Sequence, residues 1–249
     1  MTGAMASGRF KPLRLAMVAR IEAIVRDDAP AADNDELRRV LAVVAQVPRE
    51  AFVPHALRQR AYQLTPLPIG YEQTISDAYI VAVMTAALRL PPNAEVLDVG
   101  TGSGYQAAIL SPLARRVSSI EIVAPLARDA ARRLRRLRYR NINVRAGDGF
   151  QGWPEHAPFD GIVVAAGAAE VPAPLLQQLK PGGRLVMPIG PSFAQEQVLV
   201  YTKKLDGGIE RCSLGWAMFV PLTGRGERPP HLVGLMDRSI PLCFGAEVT

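Results

Sequence analysis

The chain has 249 residues, 49% of them hydrophobic and 21% charged, a balance ordinary for a globular domain and long enough to bury a full core. No apolar run approaches the ~20 residues a membrane span needs, and the segment from Phe10 to Arg26 is interrupted by Arg14, Arg20 and Glu22, which excludes the continuous apolar stretch of a secretory signal. The net charge of +6 and the pI near 9.7 invite a polyanionic partner.

Apolar periodicity predicts two helices, Phe10 to Arg26 and Asp35 to Ala45, joined by the polar link Asp27 to Asn34. Val47-Pro48 and Val53-Pro54 then break the chain, and a third helix is expected near His55 to Tyr62. Thr65-Pro66-Leu67-Pro68-Ile69-Gly70 must run extended, because each proline excludes its predecessor from the helical region. Ile80, Val81, Met84 and Leu88 recur at helical spacing over Asp77 to Leu88, with Ser76 or Asp77 as N-cap.

Beyond Pro91-Pro92 strands and helices alternate. Strands are expected at Val96 to Val99, Val117 to Ile122, Ile142 to Arg145, Gly161 to Ala165 and Arg184 to Pro188. Helices are expected at Tyr105 to Leu113, Ala124 to Leu137 and Pro172 to Leu179, the last closed by Lys180-Pro181-Gly182-Gly183. Such alternation predicts an α/β fold, a mostly parallel doubly wound sheet covered on both faces, with ligands at the carboxyl ends of the strands. Gln197 to Lys203 and Leu214 to Val220 flank Asp206-Gly207-Gly208 as a C-terminal antiparallel hairpin. The expected organisation is one structural domain: a helical extension and substrate-side segment over 1–92, a cofactor-binding core over 93–224, and a tail over 225–249 without clear periodicity.

The chemistry begins at Val96-Leu97-Asp98-Val99-Gly100-Thr101-Gly102-Ser103-Gly104, a buried strand running into a tight glycine turn and a helix. Glu121 follows about twenty residues later, at the end of the next strand, where an acid grips ribose hydroxyls. Asp98 would repel a pyrophosphate at that turn but attract a cation. The spacing is also one residue short of the dinucleotide pattern. S-adenosylmethionine, which carries a sulfonium and an amino cation and no phosphate, fits these charges.

Arg128, Arg132, Arg133, Arg135, Arg136, Arg138 and Arg140 supply the excess positive charge, interleaved with Leu126, Ala130, Leu134 and Leu137 at helical spacing. This is an amphipathic helix whose outer face is read as solvated, with a phosphate or acidic-partner surface as the alternative. Nucleic acid is disfavoured, since no aromatic residue interrupts the arginines before Tyr139. His55, His156 and His231 lack metal-ligand spacing, and no metal is expected. Cys212 and Cys243 could pair on arithmetic, but without a signal peptide they are expected to be reduced thiols in a cytoplasmic protein.

The extended lead-in continues into Tyr71-Glu72-Gln73-Thr74-Ile75-Ser76, and together with the glycine turn it resembles the protein-L-isoaspartate O-methyltransferase family. The resemblance covers roughly Val47 to Gly224 and includes Gly147-Asp148-Gly149, Gly152-Trp153-Pro154, Ala157-Pro158-Phe159-Asp160, Lys180 to Val186 and Phe219-Val220-Pro221-Leu222. The glycine turn is common to many such methyltransferases, whereas Gln73-Thr74-Ile75-Ser76 singles out this family. The resemblance implies a Rossmann-like class I methyltransferase that uses S-adenosyl-L-methionine to methylate the free α-carboxylate of L-isoaspartyl residues in damaged proteins and peptides, initiating repair. It implies that Thr74, Ile75 and Ser76 line the active site with Ser76 catalytic, that Asp148 reads the adenine amino group, and that Gly149 and Thr223 lie near the cofactor with Asp98, Gly100, Thr101, Gly102, Ser103, Gly104 and Glu121. Leu64, Glu72 and Gly167 depart from the usual pattern, and Glu72 would place a negative charge near the substrate entrance.

An α-carboxylate is ionised at neutral pH, so its methylation needs orientation but no general base. The scattered histidines suit that requirement. The rival readings are a methyltransferase for nucleic acid or a small molecule, and a non-catalytic module that keeps the fold and binds a partner through the arginine face. Oligomeric state is not legible.

Overall fold

In the computed structural model, which describes residues 3–28, 35–191, 195–225 and 239–243, the chain opens with α1 (Gly3–Asp28) and α2 (Asp35–Val44). α1 starts earlier than expected and carries Pro12 within it, although proline deletes one helical hydrogen bond. The compensation is tertiary: Phe10, Arg14, Met17, Ile21 and Val25 form one buried stripe at steps of three and four residues. Arg14 belongs to that stripe because its charge is satisfied there. Its Nη1 donates to Gln46 O at 2.9 Å, its Nε to the Tyr62 hydroxyl at 3.1 Å, and Glu50 lies 3.6 Å from Nη2.

The helix expected over His55 to Tyr62 is instead a 3-10 turn, His55–Arg60, with no buried residue of its own. A six-residue segment with nothing to bury has little to hold a full α-helix together. Then β1 (Leu67–Gly70) and β2 (Gln73–Ile75) pair as a small antiparallel hairpin. Its loop places Tyr71 at φ 55° and Glu72 at φ 59°, the left-handed pair a two-residue hairpin requires. α3 (Ala78–Ala87) follows.

The remaining elements are β3 (Glu95–Val99), α4 (Tyr105–Leu110), β4 (Arg116–Glu121), α5 (Ala124–Arg136), β5 (Ile142–Ala146), β6 (Phe159–Val164), α6 (Ala173–Gln177), β7 (Leu179–Ile189), β8 (Glu196–Lys203) and β9 (Ile209–Ala217). The strands form one sheet in the order β5-β4-β3-β6-β7-β8-β9, parallel through β7 and antiparallel from β7 to β9. Period-two alternation sends Val96, Val117, Val163 and Val186 to one face, in a core continuous with α1, α2 and α3, and Leu97, Val99, Ile162 and Leu185 to the other.

Two expectations about the sheet need correction. Lys180 to Gly183 does not end a helix; it is a bulge inside β7, where Phe159 faces Leu179 but Gly161 faces Arg184. Gly182 takes φ +82°, and a Cβ on Gly183 would stand 2.9 Å from Lys180 O, so this bulge requires glycine. The last strand begins at Ile209, because the turn pairs Lys203 directly with Ile209. Glu210 and Arg211 are tolerated at the exposed edge and obscured the strand in the sequence.

The cysteines also differ from expectation: Cys212 and Cys243 form a disulfide. Backbone hydrogen bonds from Ser213 N to Pro241 O at 2.9 Å and from Cys243 N to Ser213 O at 2.8 Å lay residues 241–243 beside β9 and bring the sulfurs together. The rest of the tail, with His231, lies outside the described residues, as does most of the link before α2. No helix among the described residues is long and apolar enough to cross a membrane.

Candidate active site

β3 lies between β4 and β6, so the chain leaves its carboxyl end toward opposite sides of the sheet. The loops above it enclose a cavity, as expected at a topological switch point. The cavity is lined by the glycine turn Gly100 to Ser103, by Ile120, Glu121 and Ile122 at the end of β4, by Gly149, and by Ala165 and Ala166 after β6. Two distant segments close it: Gln73 to Ser76 from the hairpin and Val220 to Thr223 after β9.

The glycine turn is built by backbone geometry. Gly100, Gly102 and Gly104 adopt φ of +95°, +50° and +90°, which side chains resist. Gly100 N and Thr101 N both donate to Ile120 O, at 2.9 and 3.1 Å, and tie the turn to β4. Gly104 starts α4 and faces α5, where an added Cβ would stand 3.2 Å from Leu134 Cδ1. From the same helix Arg133 donates Nη1 to Ser103 O at 2.7 Å. One arginine of the supposedly solvated face is therefore a structural support of the turn.

Glu121 is nearly buried, and its carboxylate joins two loops: Oε2 accepts from Gly102 N at 2.7 Å and Oε1 from Val123 N at 2.9 Å. It is the single carboxylate in the lining, which contains no lysine, arginine or histidine among the described residues. A phosphate-bearing ligand would find no cationic partner here, whereas a ligand with hydroxyls and positive charge meets an acid and a backbone cradle.

Asp98, Gly104 and Asp148 do not line the cavity. Asp98 is fully buried behind the turn, where Ser119 Oγ donates to its Oδ2 at 2.7 Å across the β3–β4 register and Oδ1 has no hydrogen-bond partner. Burial pushes its carboxyl up to about 7, with the nearby negative charge of Glu121 adding to the rise and the Ser119 bond opposing it. Asp148 is engaged by backbone N–H groups, Phe150 at Oδ1 and Arg225 at Oδ2, both at 2.9 Å. The chain at Gly224 passes so close that a Cβ there would stand 2.8 Å from the Asp148 carboxyl carbon. Thr223, just before this crossing, is in the lining.

At the hairpin side the structure distinguishes neighbours that the sequence left open. Asp77 is the N-cap of α3, accepting from Tyr79 N at 2.7 Å. Ser76 is thereby free of capping and lines the cavity beside Thr74 and Ile75. Glu72 projects from the exposed hairpin tip and is not in the lining, so its charge stays in solvent. Leu64 is partly buried against the core.

Sequence reasoning missed Tyr105 and Gln106, which also line the cavity. They read as the first turn of the helix after the glycine turn, although the stretch that resembles the family continues through them. It also missed Glu196. This fully buried residue accepts from Phe219 N at 3.0 Å through Oε2 and crowds Gly167, whose backbone bonds hold Val220 and Leu222 in the wall.

Residues 32–227 match the family described as protein-L-isoaspartate(D-aspartate) O-methyltransferase. The chain is 48% identical over 221 residues to protein-L-isoaspartate O-methyltransferase 1 of Cupriavidus necator, covering 88% of this chain and 85% of the other. It is 49% identical over 210 residues to protein-L-isoaspartate O-methyltransferase 2 of a Polaromonas species, covering 84% and 100%. Among solved structures it is similar to a Plasmodium falciparum chain described as a protein-L-isoaspartate O-methyltransferase in complex with S-adenosyl-L-homocysteine, with a TM-score of 0.69, 25% identity, and coverage of 83% of this chain and 97% of that one.

Proposed function

The chain belongs to the protein-L-isoaspartate(D-aspartate) O-methyltransferase family, and from that premise we propose how its residues divide the work. It is an S-adenosylmethionine-dependent enzyme that methylates the free α-carboxylate of L-isoaspartyl residues in damaged proteins and peptides, the step that starts their repair. When bound, S-adenosylmethionine supplies an electrophilic methyl group on a positively charged sulfur.

In this reading Glu121 holds the ribose hydroxyls, and Gly100 to Ser103 let the backbone approach the cofactor closely. Asp98 acts through space as a buried negative charge that a bound cation stabilises. Gly149 and Thr223 flank the base end, with Asp148 shaping that end through its bonds to Phe150 and Arg225. Thr74, Ile75 and Ser76 face the substrate, and the uncapped Ser76 hydroxyl donates to its carboxylate. The carboxylate arrives ionised, so the site binds, orients and excludes water without moving a proton. The observation that carries this assignment is the convergence of Gln73 to Ser76 with the glycine turn and Glu121 in one cavity that, among the described residues, offers no histidine or lysine as a base.

The test presents matched L-isoaspartyl and L-aspartyl peptides with methyl-tritiated S-adenosylmethionine. Label should enter the isoaspartyl peptide as a base-labile ester and largely spare its twin, whose carboxylate sits one methylene away from the in-line position; a misplacement near 1 Å can cost ~10²-fold. Equal labelling, or an alkali-stable product, overturns the reading. Cytoplasmic repair of aged proteins is part of the same proposal. Isolation of the protein under thiol-blocking conditions with Cys212 and Cys243 already joined would argue instead for an oxidising compartment.

A further inference from the structure

Arg49 is the largest side chain that the described fold buries completely. It stands on the 3-10 turn Arg49–Ala51, and its guanidinium reaches beneath the rim of the cavity. Nε donates to Ala61 O at 2.8 Å and Nη2 to Ser76 O at 2.7 Å, while Cζ lies 4.7 Å from the centre of the Tyr105 ring. Ser76 and Tyr105 both line the cavity.

The charge of this guanidinium is not balanced locally. None of the ion pairs among the described residues includes it, and Nη1 has no hydrogen-bond partner. Its neighbour Glu50 is committed to Arg14 and the Tyr62 hydroxyl. Asp77 attracts Arg49 through space, but its carboxylate caps α3. An arginine keeps its proton where a buried lysine would shed it, so the site holds a permanent cation. Leaving such a charge unpaired away from water is costly.

The lining in front of it presents only the negative charge of Glu121. An incoming carboxylate therefore needs compensation from beyond the lining. We propose that Arg49 is a positioning residue for this reaction: it fixes the rim through the Ser76 carbonyl, and its buried charge selects substrates whose α-carboxylate is free and ionised. The inference rests on the assignment of the 73–76 rim to the substrate side. Because the carboxylate loses its charge as the ester forms, the field acts on substrate binding more than on the chemical step.

The test compares Arg49→Gln and Arg49→Lys with wild type by peptide KM and kcat, by calorimetric Kd for S-adenosylhomocysteine, and by Tm. Arg49→Gln should raise the isoaspartyl-peptide KM about tenfold to a hundredfold, the range for one lost charge-assisted contact. The change in kcat should be smaller than the change in KM, and the Kd for S-adenosylhomocysteine should stay within about threefold. Arg49→Lys should recover part of the KM only at the acidic end of the assay range, because a lysine buried there keeps its charge at low pH and sheds it as pH rises. A KM near wild type in Arg49→Gln overturns the proposal. So does a loss of S-adenosylhomocysteine affinity matching the loss in KM, a lysine variant no better than glutamine even at the acidic end of the range, or failure of both variants to fold, since each marks Arg49 as purely structural. Failure of the underlying reading looks different: wild type would ignore the isoaspartyl peptide, or Ser76→Ala would be kinetically normal.

Discussion

Gly102 donates its backbone N–H to Glu121 Oε2 at 2.7 Å, so the acid at the end of β4 holds in place the turn that follows β3. Glu121 thus supports the glycine turn, and in the proposed reading it also captures the ligand. Glu121→Ala should weaken S-adenosylmethionine and S-adenosylhomocysteine alike by about 1.5–3 kcal/mol, the value of hydrogen bonds to a charged acceptor. Calorimetry with both ligands checks this, and unchanged affinities would remove Glu121 from the site.

Asp98 makes ligand-free stability depend on pH. Its ordinary value of 3.8 applies to the unfolded chain and about 7 to the folded one. Between those values the folded protein keeps a proton that the unfolded chain releases, so stability falls as pH rises through that window and is flat above it. Asp98→Asn should therefore stabilise the ligand-free protein at pH 8 by up to about 4 kcal/mol relative to wild type, with little difference near pH 4. Denaturant titrations at several pH values measure this, and the same variant should bind the cationic cofactor less tightly.

Adjacent residues should separate stability from catalysis. Asp77→Ala removes the N-cap of α3 and should cost about 0.5–2 kcal/mol of stability. Ser76→Ala should leave Tm and S-adenosylhomocysteine affinity nearly intact and lower kcat, since an orienting contact acts on the transition state. Thermal melts and steady-state kinetics on the two variants give opposite patterns if this division holds.

Gly167 has no room for a side chain because the Glu196 carboxylate occupies the space. Gly167→Ala should cost about 1–3 kcal/mol through overpacking. Part of that loss should return in the Gly167→Ala/Glu196→Ala pair, a non-additivity a double-mutant cycle reads directly. Strict additivity would show that the contact is not what makes this position glycine.

The disulfide closes a sequence separation of 31 residues. On the chain-entropy account, its reduction should lower stability by about 3–4 kcal/mol. In purified protein oxidised in air, mass spectrometry should find no alkylated cysteine before reduction and two after it, with a lower Tm in the reduced protein.

The glycine-turn side of the cavity was legible in the sequence because it is written in short-range spacing. A strand, a glycine turn, a helix and an acid about twenty residues on lie within one β-α-β unit, where local geometry alone brings Gly100, Gly102 and Glu121 together. The extended course of Pro66 to Gly70 was likewise legible, since proline constrains the backbone wherever it occurs, whereas the place of Thr74 to Ser76 at the site was implied only by the resemblance to the family. What only the tertiary structure decided depends on contacts between residues far apart in the chain, which carry no period. Asp98 stands behind the turn with Ser119 facing it across the β3–β4 register, and Asp77 rather than Ser76 caps α3, its backbone non-helical and its carboxylate accepting from Tyr79 N. Arg14 read as a polar interruption and Arg49 carried no signal, yet both are buried because carbonyl oxygens of Gln46, Ala61 and Ser76 wait for them 12 to 32 residues away. Cys212 meets Cys243 only because backbone bonds lay the tail beside β9. Burial and pairing of charged groups are settled by such distant partners, and a one-dimensional pattern does not contain them.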